Sequence, residues 1–335
     1  MKFGVSIPTC REGLNLPLPF SSIEETVQLA VDAEALGFDS AWGNDHVTAP
    51  AYVRNDYPDP PRFYEPLIVF AAAAARTSRI RFGTGVLVAP MREPVYLAKQ
   101  VATLDQLSGG RLTLGLGTGA YREEFEAAMP RLKDAKRGAM LDEMVDALEL
   151  LFTERRASYS GTYVEFQGIE LYPKPLQRPL PMYFGGNSPE VLRRVAARGQ
   201  GWIAGALAPH LVAEGRHQLL ALAAEAGRDG ELIDIAPQYV CSIASTHDEA
   251  VERFRASRFY VHLKTLSQST LRGQDMDLLE QNNLVGTPAE LRERIHSLAE
   301  HGVTSLGATV FAADTPERMR EDMQLFAEEV IPHFR

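Results

Sequence analysis

The chain has 335 residues, 45% of them hydrophobic, and a formal net charge of -10 with a pI near 5.4. That length and apolar content suffice to bury a large core, and the acidic surface argues against nucleic acid and anionic membranes as partners. Two cysteines, Cys10 and Cys241, with no C-x-x-C between them, leave no disulfide framework and fit a reducing cytoplasm.

The opening MKFGVSIPTC predicts a strand over 2–7; its apolar run is too short for a signal peptide. "SSIEETVQLAVDAEALGF" predicts a helix with Ser21 and Glu24 as a capping box, Ile23, Val27, Ala30 and Val31 as its apolar stripe, and Gly37 as its stop. A second strand, 38–42, ends abruptly in Gly43-Asn44-Asp45-His46. The Ala-rich "IVFAAAAARTSRI" is the longest apolar stretch, but Arg76 and Arg79 cut it short of the about 20 residues a membrane span needs. Strand 80–88 follows, interrupted by Gly83 and Gly85. The next helix has Pro94 in its first turn, Leu97, Val101 and Leu104 on one face, and Gly109-Gly110 at its end. Strand 111–117 runs into "GLGTGAYREEF". Residues 153–180 read as a short hairpin and a Pro-rich connection. Strand 181–185 ends in "FGGNSPEVLRR", and strands 201–205 and 235–244 come after it. Residues 258–286 exceed a minimal repeat and read as a lid or a contact between copies. A helix announced by Thr287, Pro288 and Glu290 and closed by Gly302 leads to the last strand, 304–311, and "TPERMREDMQLFAEEV" makes the final helix.

Eight strands, mostly continuous apolar runs, alternate with helices. This predicts an α/β fold, a (β/α)8 TIM barrel formed by one domain over 1–335, with insertions near 153–180 and 258–286. A doubly wound sheet is the competing arrangement.

In such a barrel, chemistry sits where strands end. Asp45 and His46 follow strand two, and a histidine beside a carboxylate can hold a proton near neutral pH; the plain alternative is a loop histidine. Gly85-Val86 marks a bulge or a close backbone approach, either to a flat ligand or to a packed neighbour. Gly117, Thr118 and Gly119 leave little bulk at the fourth mouth, without the spacing of a dinucleotide fingerprint. Gly185, Gly186, Asn187 and Ser188 precede a helix start, which suits a phosphate or a simple cap by Ser188. Cys10 faces the same mouth or is a small buried hydrophobe. Trp42, Tyr52, Tyr57, Tyr64 and Tyr121 either enclose an apolar substrate or pack the loops. The scattered histidines lack metal-ligand spacing, so no metal is expected.

Several stretches together resemble the luciferase-like monooxygenase superfamily: "GFDSAWGNDHV", "TSRIRFGTGVLVAPMREPVYLAKQVATLDQLSGGRLTLGLGTGAYREEFEA", "RGAMLDEMVDALELLF" and "YPKPLQRPLPMYFGGNSPEVLRRVAARGQGW". The resemblance implies a barrel that binds a reduced flavin or deazaflavin across its carboxyl face. "NDHV", in place of the Glu-His-His more common in FMN-using members, looks most like the branch that uses coenzyme F420. Carried over by position, His46 is the proton donor or acceptor, oriented by Asp45. Gly85-Val86 backs the ring, often through a non-proline cis peptide. Gly117, Thr118 and Gly119 line the cofactor tail, and Gly185 to Ser188 hold its phosphate. Cys10, Tyr52, Tyr64 and Tyr121 are the candidate substrate contacts. Pro50 and Ala120 stand where sugar-phosphate dehydrogenases of this superfamily carry Trp and Glu, which argues against a sugar phosphate. The implied activity is hydride transfer between F420 and a small organic substrate, in a homodimer. The alternatives are an FMN-dependent monooxygenase served by a separate flavin or F420 reductase, and a flavin-binding barrel without catalysis.

Overall fold

In the computed structural model, residues 1–268, 271 and 274–335 are described. Among them the strands are β1 (Lys2–Ser6), β2 (Ser40–Gly43), β3 (Arg81–Thr84), β4 (Leu87–Val88), β5 (Leu112–Gly117), β6 (Ala157–Ser160), β7 (Glu165–Ile169), β8 (Met182–Gly185), β9 (Gly201–Ile203), β10 (Asp234–Ile235), β11 (Gln238–Ile243), β12 (Leu284–Gly286) and β13 (Ser305–Phe311). Parallel pairing runs β10-β9-β8-β5-β3-β2-β1-β13-β11. The ring closes because β10 and β11 are two halves of one run. β10 pairs with β9, β11 pairs with β13, and Gly205 bridges Gln238. Gln238 N donates to Ala204 O at 2.8 Å and Ala206 N to Gln238 O at 3.0 Å across the seam. The result is the expected (β/α)8 barrel.

The departures from expectation have local causes. Run 235–244 breaks between β10 and β11, at Ala236-Pro237, where proline has no N–H for the ladder. Run 80–88 splits at Gly85-Val86, whose peptide bond is cis. The first helix, Ile23–Ala35, is capped one residue later than expected: Ser22 and Glu25 form the box, while Ser21 Oγ pairs with Thr26 Oγ1 at 2.9 Å. Its buried face is accordingly Thr26, Val27, Leu29, Ala30 and Ala33, and Ile23 is exposed. Segment 258–286 ends in β12, which pairs with β11, so that part belongs to the sheet. β6 and β7 form the expected antiparallel hairpin.

Two of the apolar clusters among the described residues set the frame of the barrel. The larger lies between sheet and helices; Leu97, Val101 and Leu104 of helix Pro94–Ser108 enter it, each worth about 1.5–3 kcal/mol of burial. The smaller fills the barrel itself with Trp42, Ile203 and Ala308, against which Val86 and Tyr183 pack. Trp42 explains a strand glycine: a Cβ at Gly83 would lie 2.5 Å from its ring. Among the described residues no helix is long and apolar enough to cross a membrane.

Candidate active site

A cavity of about 720 Å³ opens at the carboxyl ends of the barrel strands. Asp45, His46, Gly85, Val86, Gly117, Thr118, Gly119, Tyr121, Gly185, Gly186, Asn187 and Ser188 all line it. Segments far apart in sequence thus meet at one mouth. Residues 87–88, 117 and 185 come together there because β4 pairs with β5 and β5 with β8.

His46 does not take its partner from its neighbour. Its Nδ1 lies 2.9 Å from Glu124 Oε2. Glu124 Oε1 also accepts from Val47 N at 2.6 Å and from Thr48 N at 3.3 Å. A carboxylate only accepts, so this contact puts the imidazole proton on Nδ1 and leaves Nε2 as the lone-pair nitrogen. Glu124 is buried in helix Arg122–Ala128, directly after the G-T-G turn. Asp45, expected to orient His46, instead binds Arg92: Arg92 Nη2 donates to Oδ1 at 2.7 Å and Nε to Oδ2 at 3.2 Å. Oδ2 also accepts from Val88 N at 2.9 Å. Asp45 therefore ties the end of β2 to the segment that carries the Gly85-Val86 bulge.

The floor is built around Val86. A Cβ at Gly117 would fall 2.5 Å from Val86 Cγ2, and one at Gly185 would also meet the Val86 side chain. These glycines make room for a valine ridge, so close packing explains them before any ligand does. Gln238 Nε2 donates to Gly85 O at 3.2 Å and steadies the ridge from across the barrel. At the far wall, helix Pro189–Arg198 begins at Ser188, whose side chain makes no cap bond to that helix. Asn187 clamps the Gly205 backbone, with Nδ2 donating to Gly205 O at 3.0 Å and Gly205 N donating to Oδ1 at 2.9 Å. Arg137, also in the wall, donates to Thr118 O at 3.1 Å and Gly119 O at 3.0 Å and forms no ion pair among the described residues.

Three expected substrate contacts are not among the lining residues. Cys10 is fully buried behind His46, with Sγ donating to Tyr64 O at 3.2 Å, and burial pushes its thiol well above the usual range. Tyr64 turns away and donates to Ser21 O at 3.3 Å. Tyr52 stands one layer back, 3.0 Å from His262 Nδ1 and 3.3 Å from the Tyr121 hydroxyl. Tyr52, Tyr57 and Tyr121 pack with Leu14, Ala49 and Val53, so most of the tyrosines hold the loops together. Trp42 belongs to the barrel interior.

The structure adds lining residues that the sequence reading passed over: Arg11, Asn15, Arg137, Gln238 and His262. Arg11 is a charge in the loop that follows the apolar strand β1, a signal available in the sequence. His262 comes from helix Arg258–Thr265, which covers the mouth with Phe259, His262 and Leu263. Burial first, then the charges of Arg11 and Arg258, push the His262 pKa down to about 3, so its imidazole is neutral. Among the described residues no group of three His, Cys, Asp or Glu side chains could hold a metal ion.

This geometry agrees with three comparisons. An FMNH2-dependent dimethylsulfone monooxygenase of Pseudomonas putida is 26% identical over 100% of this chain and 95% of its own. An F420-dependent glucose-6-phosphate dehydrogenase of Kineococcus radiotolerans is 33% identical over 52% of this chain and 50% of its own. A solved F420-dependent secondary alcohol dehydrogenase shares the fold at a TM-score of 0.80, with 22% identity over 100% of this chain and 99% of that one. The match spans 64% of the length of similar uncharacterised Mycobacterium tuberculosis proteins. A family model described as luciferase-like monooxygenase matches residues 1–305, and the chain belongs to that family.

Proposed function

We propose that the protein is an oxidoreductase that transfers a hydride between coenzyme F420 and a small organic substrate. The observation that carries this reading is the His46–Glu124 pair facing a glycine-walled cavity whose other side has a helix start and Arg137, an arginine with no ion pair among the described residues. The residues fit such a cofactor. Val86 offers a ridge for a planar ring. Thr118 and Gly119 line a path for the tail, and Gly186, Ser188 and Arg137 surround a place for its negative charge. When bound, F420 supplies a carbon centre that gives or takes a hydride.

The chain's own residues do the rest. Glu124 fixes the tautomer of His46, and Nε2 takes or returns the proton that accompanies hydride transfer. Asp45, through Arg92 and Val88 N, holds the bulge against which the ring rests. Phe259 and Leu263 cover the mouth and limit water. Titration of the purified protein with F420 and with FMN tests the reading. Trp42 packs against Val86, so its fluorescence reports the ridge. Saturable quenching by F420 is expected. Replacement of His46 by alanine should slow turnover while leaving cofactor affinity within about a few-fold. A relative matched along the whole chain works with FMNH2, which supports a second reading: an FMN-dependent monooxygenase fed by a separate reductase. Quenching by FMN alone, with substrate-dependent oxygen uptake, would select it; no quenching by either cofactor defeats both readings.

A further inference from the structure

Arg11 follows β1, is 5% exposed, and lines the cavity that His46 faces. Among the described residues its side chain joins no ion pair and no hydrogen bond, and its buried Nε has no partner. Partly buried arginines elsewhere hold carboxylates. Arg92 holds Asp45 and Glu65 at 2.7 and 2.8 Å, and Arg253 holds Asp322. Asn15, on the same loop and also at the cavity wall, leaves its buried Oδ1 without a partner. Two orphaned polar atoms at one wall are costly and mark a polar spot that the fold itself does not complete.

The described residues offer Arg11 no counter-ion. Glu124 is engaged by His46, and Asp45 by Arg92. His262 is neutral. Burial lowers the Arg11 pKa only to about 10, so the guanidinium remains a cation at neutral pH. Around it the surface is apolar: the Phe259 ring lies 6.0 Å from the guanidinium carbon, and Leu14 and Leu263 line the same cavity. β1 is separated in the ring from β8, where the tail cradle lies, by β2, β3 and β5. Arg11 therefore stands apart from the place for a cofactor's negative end.

Resting on the reading that substrate meets cofactor in this cavity, we infer that the substrate is a small organic carboxylate. Its oxygens take the guanidinium of Arg11, and its apolar body lies along Leu14, Phe259 and Leu263. A planar guanidinium matches a carboxylate in two parallel bonds, which a neutral carbonyl cannot reproduce.

The test is calorimetric titration of the protein with phenylacetate and hexanoate, and with phenylacetamide and hexanamide as neutral partners of the same shape. The acids are expected to bind about 10- to 100-fold more tightly than the amides. Arg11→Met should abolish that preference, leave amide binding unchanged and leave F420 or FMN quenching within about two-fold of the native protein. Should Arg11→Met fail to fold, Arg11→Gln, which keeps length and polarity without charge, makes the same comparison. Absence of acid preference in the native protein, or its persistence in the variant, overturns the inference. So does a variant that loses cofactor binding instead, since Arg11 would then serve the ring. Loss of both cofactor titrations in the native protein, with the acid preference intact, would defeat the proposed function and leave the Arg11 site standing.

Discussion

Glu124→Gln tests the core of the site with almost no change of shape. Glu124 accepts three hydrogen bonds, from His46 Nδ1, Val47 N and Thr48 N. A glutamine keeps an oxygen for the two backbone N–H groups, but the bonds lose their charge assistance, at a cost of about 1–3 kcal/mol of stability. Its amide nitrogen then faces His46 and can only donate. Nδ1 must accept, and the imidazole proton moves to Nε2, the nitrogen that faces the cavity. The native protein presents a lone pair there; the variant presents a hydrogen. Misplacing the tautomer of a general acid–base costs about 10²- to 10⁴-fold in kcat. Nitrogen-15 NMR of labelled histidine reads the tautomer directly, and F420 quenching reads cofactor affinity, expected within about three-fold of native. A native His46 protonated on Nε2, or a Glu124→Gln variant that keeps the proton on Nδ1, would refute the reasoning. Full turnover by the variant would also refute it.

Other consequences are smaller or more local. His262, held near 3 by burial, leaves the unfolded chain binding more protons below its ordinary 6.5. Its contribution to stability is therefore complete above pH 6.5 and is lost as pH falls toward the folded value. At pH 5 this amounts to about 2 kcal/mol. Amide protection factors in helix Arg258–Thr265, corrected for the intrinsic pH dependence of exchange, should fall between pH 7 and pH 5, and His262→Phe should remove most of that fall. Gly185→Ala places a methyl group against Val86, so the variant should lose about 1–3 kcal/mol and quench more weakly with cofactor; native-like melting and affinity would show that Val86 has room to move. Arg137→Ala should weaken cofactor binding by about ten-fold, with a shallower salt dependence, while leaving any acid-over-amide preference untouched. Cys10, buried with its thiol pushed up, should resist alkylation in the folded protein and react only after denaturation.

The barrel was legible because its signals are local and repeated: Pro94 and Gly109 bracket one helix, Thr287 and Glu290 open another, and apolar runs of strand length alternate with them. Adjacent strand ends therefore had to share a face, which is why the sequence alone groups Gly85, Gly117 and Gly185. What failed was finer. A capping box one residue off still places the helix but rotates its buried stripe, which is how Ile23 ended in solvent. The tyrosines carried no sign of direction: whether Tyr64 points at the cavity or at Ser21 depends on a loop path that no periodicity encodes.

Asp45 and His46 show the physical limit most clearly. Their adjacency suggested a pair, and both line the cavity, yet their polar atoms go to different partners. Asp45 reaches Arg92 and Val88 N, and His46 reaches Glu124. A histidine at a barrel mouth that needs a carboxylate must draw it from a different strand's loop. The G-T-G turn is where such a residue had to come from: β5 meets β3 and β4, its small residues let the chain pass close, and the acidic run Glu123-Glu124 opens the helix that follows. By the same reasoning, an acid moved to position 120 would compete with Glu124 only if its side chain turned toward His46. An Ala120→Glu/Glu124→Gln double variant that restores the Nδ1–H tautomer would show that the mouth asks for a carboxylate and tolerates more than one source.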